Sequence, residues 1–243
     1  MPRRYTEDWF DNMIWTHFYT TPLISTHHVA ITVTNFTPIR INKNISLWCR
    51  KYSKEHFSFA MHVIENITSY MNSQFRELQI IPKIDHFVIP NFPQDGTSKW
   101  GLIFYREADV IYNKQLDPVM HKIEVARCIA HKIAYQVFGN IVSPLRWSYL
   151  WLHDGLATIF GEEATAQAFN NYGIMDFFIV RNQYEALNLD SHFDMNPPQV
   201  NLSEINSLFN FPRYMKVPIV LRMLKNMMFD HVLRKGVDVY LNK

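Results

Sequence analysis

Apolar residues recur at three- and four-residue steps over two long stretches of the chain. From Glu55 to Phe75, Phe57, Ala60, Ile64, Ile67 and Met71 fall on one face of a helix, with Val63 and Tyr70 beside them. From Asp117 to Gly139, Val119, Ile123, Ala126, Ala130, Ile133, Ala134 and Val137 do the same. Asp117 suits an N-cap, Pro118 a first helical position and Gly139 a stop. A third helix is expected from Ser148 to about Phe169. Between them the pattern shortens. The run 18–36, Ile45–Arg50, the stretch from Pro82 and Gly101–Glu107 read as strands, the last as an edge strand. Residues 188–200 read as a polar, Pro-bearing loop, Ser203 as the cap of a short helix, and the chain after Pro218 as helical, with Pro218 bending the helix start.

Composition narrows the function classes. Apolar residues make up 48% and aromatic residues 15% of 243, enough for a packed core. A net charge of +2, without a basic run, argues against a nucleic-acid surface. No apolar run is long enough for a transmembrane segment. The N-terminus lacks a signal-peptide core, so as written the chain reads as cytoplasmic. Cys49 and Cys128 read as buried thiols and lack metal-site spacing. Four sequons begin at Asn35, Asn44, Asn66 and Asn201.

The chemistry centres on the second and third helices. His131 and Tyr135 lie four apart, one turn apart on one helix face, and Asp154 comes on the next helix. An H-x-x-x-H pair with a later carboxylate is how one class of zinc hydrolase builds its site. The run VARCIAHKIAYQVFGNIVSPLRWSYLWLHDGLATIF closely resembles the zinc aminopeptidases of the aminopeptidase N type, the gluzincin metallopeptidases. Their pattern is H-E-x-x-H, then eighteen residues, then the Glu of N-E-G. It falls here on His131, Lys132, Tyr135 and Asp154.

The resemblance implies a mixed α/β (α+β) thermolysin-like catalytic domain over residues 53–243, incomplete at its C-terminus. It also implies a remnant of an N-terminal β-domain over 1–52. The metal-ligand positions are then His131, Tyr135 and Asp154, with only His131 unchanged, and Lys132 stands where the general base would be. The family's G-A-M-E-N loop falls on Asp95, Gly96, Thr97, Ser98 and Lys99, so Ser98 replaces the Glu that grips a substrate amine. Tyr214, in Arg213-Tyr214-Met215-Lys216, takes the place of the Tyr that stabilises the tetrahedral intermediate. Zinc is the family cofactor and none is expected here. Such proteins are often membrane-bound or extracellular, which the sequons would suit.

Bland roles stand beside these. His131 suits a groove imidazole, Tyr135 packing, His153 a surface position, Tyr214 a core aromatic, and Trp100, Trp147 and Trp151 framework core. Lys132 is expected to fill the old zinc position and pair with Asp154. Three functional readings result. The leading one is an inactive member, a pseudoenzyme, that binds peptides or pairs with an active relative or with domains missing here. The others are an active zinc aminopeptidase, and a partial gene product with no function of its own. Apolar surface left exposed by the absent neighbours is expected to limit solubility.

Overall fold

Alternation along Ile45–Cys49 buries every second side chain, as a strand against a helical layer requires. In the computed structural model this strand, β4, pairs antiparallel with β3 (Thr37–Arg40) and parallel with β5 (Ile84–Ile89). The model describes residues 1–10, 13–93, 96–170, 173–192, 211–228 and 230–241, leaving aside the side chains of 52, 53, 148, 211–214, 230 and 231. β5 pairs parallel with β7 (Leu102–Arg106), and β7 pairs antiparallel with β6 (Thr97–Lys99). The sheet order is β3-β4-β5-β7-β6. The parallel step from β4 to β5 needs a crossover, and helix α1 (Ser58–Gln74) supplies it.

Helix α1 buries the stripe expected of it, from Ala60 through Val63, Ile64 and Ile67 to Met71. Helix α2 (Val119–Tyr135) buries Val125, Ala126, Ile129, Ala130, Ile133 and Ala134. Val119, assigned to that stripe from periodicity, is exposed. Helix α3 (Leu150–Ala168) packs across α2, with Gly161 against the His131 backbone. One continuous core joins the inner sheet face to these three helices. The architecture is mixed α/β, a small sheet with a helical core.

Several local expectations fail for identifiable reasons. GLIFYRE is not an edge, because the three residues of β6 add outside it. The run 19–36 carries only a short 3₁₀ turn at Thr26–His28 and otherwise no strand. Asp117 does not cap α2; its carboxylate accepts a 2.7 Å bond from the Asn113 N–H, and Pro118 takes the cap position. Gly139 does not end the helix, since a π-helical segment continues over Gln136–Ile141. A Cβ at Gly139 would overlap the Tyr135 ring, so the glycine is there for close approach. Pro218 lies inside helix α6 (Phe211–Met227), not at its start. The helix expected after Ser203 lies outside the described residues. Strands β3 and β4, before the 52/53 boundary expected from sequence, share the sheet of β5–β7.

Beyond the core, α4 (Ile174–Phe178), α5 (Tyr184–His192) and α7 (Asp230–Leu241) complete the α-helices among the described residues. A separate hairpin of β1 (Arg3–Asp8) and β2 (Ile14–Phe18) precedes the sheet. Among the described residues no helix is long and apolar enough to cross a membrane.

Candidate active site

Helix α2 carries polar groups on two sides. Toward α3 it presents Arg127 and His131, one turn apart. The His131 Nε2 lies 3.2 Å from Asp154 Oδ1, both side chains about a quarter exposed. Tyr135 continues this face, its ring centroid 6.2 Å from the His131 ring. The three positions predicted as ligands are therefore brought together. The Arg127 guanidinium grips Glu162 Oε1 at 2.5 Å. Glu162 is 6% exposed, and its Oε2 has no hydrogen-bond partner among the described residues. Burial pushes the Glu162 carboxyl above its usual range, against the pull of Arg127 and His131.

Toward β6 the arrangement is drier. Lys132 is 8% exposed, and its Nζ donates to the Gly96 carbonyl at 3.1 Å. Gly96 sits at φ +118°, and a Cβ there would overlap the Phe104 carbonyl, so this loop needs glycine. Ser98 donates to the Lys132 carbonyl at 3.1 Å and accepts from Gln136 Nε2 at 2.7 Å. Gln136 also donates to the Lys99 carbonyl at 2.9 Å and accepts from the Gly101 N–H at 3.1 Å. Asn140 donates to Ser98 at 3.4 Å. The edge strand is thereby stitched to the end of α2.

This corrects the pairing expected for Lys132. Asp154 takes His131 as its partner, and the Lys132 ammonium turns to a loop carbonyl instead. Lys132 lies on the β6 side of its helix, next to but not facing the α3 side. His153 is not a surface residue either. It is 1% exposed, its Nδ1 is 2.7 Å from the Phe138 carbonyl, and its Nε2 is 2.9 Å from the Tyr240 hydroxyl. Burial lowers its pKa. Trp100 is buried as expected, whereas Trp147 is 48% exposed and lies against His27. Tyr214 is placed on α6, and its side chain lies outside the described ones.

Sequence reasoning misses Gln136, Asn140, Arg127 and Glu162. A signal exists: each is polar within an otherwise apolar helical run, with Gln136 and Asn140 in AYQVFGN and Glu162 in ATIFGEEA. Beside this face an open cleft of about 720 Å³ is lined by Asp109, His121, Glu124, Arg127, Cys128 and Arg181, among others. Among the described residues, no group of three or more His, Cys, Asp or Glu side chains is placed to hold a metal ion.

The profile of the Peptidase family M1 domain matches residues 59–243. The chain belongs to this family. It is 28% identical to an aminopeptidase N of Bos taurus over 93% of its length, and 29% identical to a glutamyl aminopeptidase of Mus musculus over 100%. It is 30% identical to aminopeptidase M1 of Arabidopsis thaliana over 90%. The chain spans about a quarter of each relative's length, 25%, 26% and 26% in turn. It is a metallopeptidase-family domain related to aminopeptidase N.

Proposed function

We propose that this M1 domain is catalytically inactive and that its retained role is to bind peptide or a partner chain. One observation carries the reading. The His131 imidazole and the Asp154 carboxylate, at two of the three ligand positions, are engaged with each other at 3.2 Å. The third position offers the Tyr135 phenol, a group outside the thiolate, imidazole and carboxylate ligands that zinc sites use. A catalytic zinc uses three good protein ligands and keeps one position open. One imidazole, one carboxylate and one phenol do not fit that requirement.

The base and amine-anchor positions support the same reading. The buried Lys132 Nζ donates to the Gly96 loop carbonyl at 3.1 Å, on the β6 side of the helix. Ser98, at the anchor position, is occupied by Gln136, Asn140 and the Lys132 carbonyl. The thermolysin-like assignment of residues 53–243, and the descent of residues 1–52 from a β-domain, belong to this proposal. For binding, the cleft along α2 is lined by charges of both signs, with Arg181 on Glu124 at 2.9 Å and Arg127 on the buried Glu162. Such a lining suits the charged groups of a peptide.

The test is paired. Protein purified without added metal should carry far less than one zinc per chain, and aminoacyl reporter substrates should release no amino acid. Stoichiometric zinc together with turnover would establish the active aminopeptidase instead.

A further inference from the structure

The sequons at Asn35, Asn44 and Asn66 lie among the described residues, and the fold gives them unlike surroundings. The one at Asn201 lies outside them. An Asn-x-Ser/Thr tripeptide is the acceptor of N-linked sugar, a bulky, hydrated group that belongs on a surface loop. Asn66 sits in the middle of α1, half-buried, with its Nδ2 3.0 Å from His62 Nε2. Its Thr68 is 3% exposed. A sugar on that amide would break the His62 contact and crowd the helix beside the core. Asn35 is exposed, but Pro38 follows its Thr37. A residue before proline is held extended, whereas an acceptor tripeptide must bend until its hydroxyl reaches the Asn amide.

Asn44 carries neither handicap. It is exposed, in the turn between β3 and β4. Two asparagines share that turn and divide its work. The Asn42 Oδ1 accepts from the Asn44 and Ile45 N–H groups, each at 2.9 Å. The Ile45 carbonyl accepts from the Ile41 and Asn42 N–H groups at 3.0 and 3.2 Å, and the Asn44 carbonyl from the Ile84 N–H at 2.9 Å. The Asn44 side-chain amide takes part in none of these bonds. Its backbone is fixed on both sides while its side chain is left to solvent. Ile45 then enters the core, and Ser46 supplies the half-buried hydroxyl two residues on.

We propose that Asn44 is a site of N-linked glycosylation. The donor is an oligosaccharide carried on a lipid pyrophosphate. The Asn44 Nδ2 attacks its anomeric carbon, and the new N–C bond forms as the C–O bond to the pyrophosphate breaks. The lipid pyrophosphate leaves with that electron pair, and one Nδ2 proton passes to a base of the transferase. Nothing is oxidised or reduced. The Ser46 hydroxyl orients the amide for this step. The chain therefore passes through a compartment that holds this donor and its transferase. The position also suits the fold. Strand β3 is the outer strand of the five-stranded sheet, and its Pro38 lacks an N–H for a further strand. A hydrated sugar at the β3–β4 turn stands over the end of that edge, where it hinders pairing with another chain.

The test uses the protein isolated from its own cells. A peptide N-glycosidase, which turns a sugar-bearing Asn into Asp as it releases the sugar, should increase gel mobility and convert position 44, read by peptide mass. Among variants returned to the same cells, Asn44→Gln and Ser46→Ala should each abolish conversion at position 44, and Ser46→Thr should keep it. Asn42→Ala removes the clamp of the turn but belongs to no sequon. It should lower the thermal transition and leave the conversion in place. Unmodified protein without sugar at position 44 overturns the proposal, and that measurement holds whether or not a variant folds. Conversion that survives Ser46→Ala overturns it as well.

Discussion

The two sides of helix α2 both carry polar side chains and treat them differently. On the β6 side, Lys132, Ser98, Gln136 and Asn140 are all buried, and their bonds tie a sheet edge to a helix end. On the α3 side, His131 and Asp154 keep about a quarter of their side-chain surface in solvent, with Arg127 and the buried Glu162 paired one turn away. In a dry setting an unsatisfied polar group costs its full desolvation penalty. In a wet setting water replaces a lost partner. Burial therefore sets what each group contributes.

The sharpest break of that comparison is Arg127→Met. It strands Glu162, which is 6% exposed, and should cost about 3–5 kcal/mol in chemical denaturation. The pH dependence has a defined sign. The Glu162 carboxyl is already raised by burial in the folded chain, and Arg127 opposes that rise. A raised acid contributes stability below its unfolded pKa and loses it as pH rises through the folded value. Removing Arg127 widens that window, so the variant should lose more stability than the parent above the ordinary glutamate range. Adding Glu162→Gln should recover much of the loss. A flat pH profile in Arg127→Met would mean that Glu162 finds water or another cation.

Next in size is Gln136→Ala. It leaves the Gly101 N–H, the Lys99 carbonyl and the Ser98 hydroxyl each short of a partner. The expected cost is about 2–3 kcal/mol, read from the denaturation midpoint at constant slope. A cost well below about 1 kcal/mol would show that solvent enters behind β6, making that side as wet as the α3 side.

Legibility in the sequence divides along the same line. Periodicity locates α1, α2 and α3 because each packs an apolar face into the common core. It misjudges the segment after Tyr135, because Gly139 there serves ring packing within a π-helical turn. Strand β6 is three residues long, too short for a hydrophobic period, so GLIFYRE reads as the edge. Motif spacing brings His131, Tyr135 and Asp154 to one place, since α2 and α3 are long and cross at Gly161. Spacing does not reveal that Lys132 faces the sheet rather than Asp154. Adjacent helical residues point about 100° apart, and only the packing against Gly96 and Ser98 decides which direction is interior. His153 is misplaced for the same reason: polarity suggests surface, while the Phe138 carbonyl and Tyr240 hydroxyl satisfy the ring in a buried site.

The smallest effect is expected at His131 and Asp154. His131→Ala, Asp154→Ala and the double variant form a cycle that isolates the pair. Its coupling should be under about 1 kcal/mol, because both side chains are partly solvated and bulk water screens them. Neither single variant should approach the cost of Arg127→Met, although the two pairs lie close together on the same two helices. Burial separates them, since each sets a nitrogen base on α2 against a carboxylate on α3. A coupling of about 3 kcal/mol would mean that the pair is closed off in solution and acts as a structural clamp between α2 and α3. A coupling near zero leaves the contact between His131 and Asp154 contributing little to stability, as expected of a pair that water can replace.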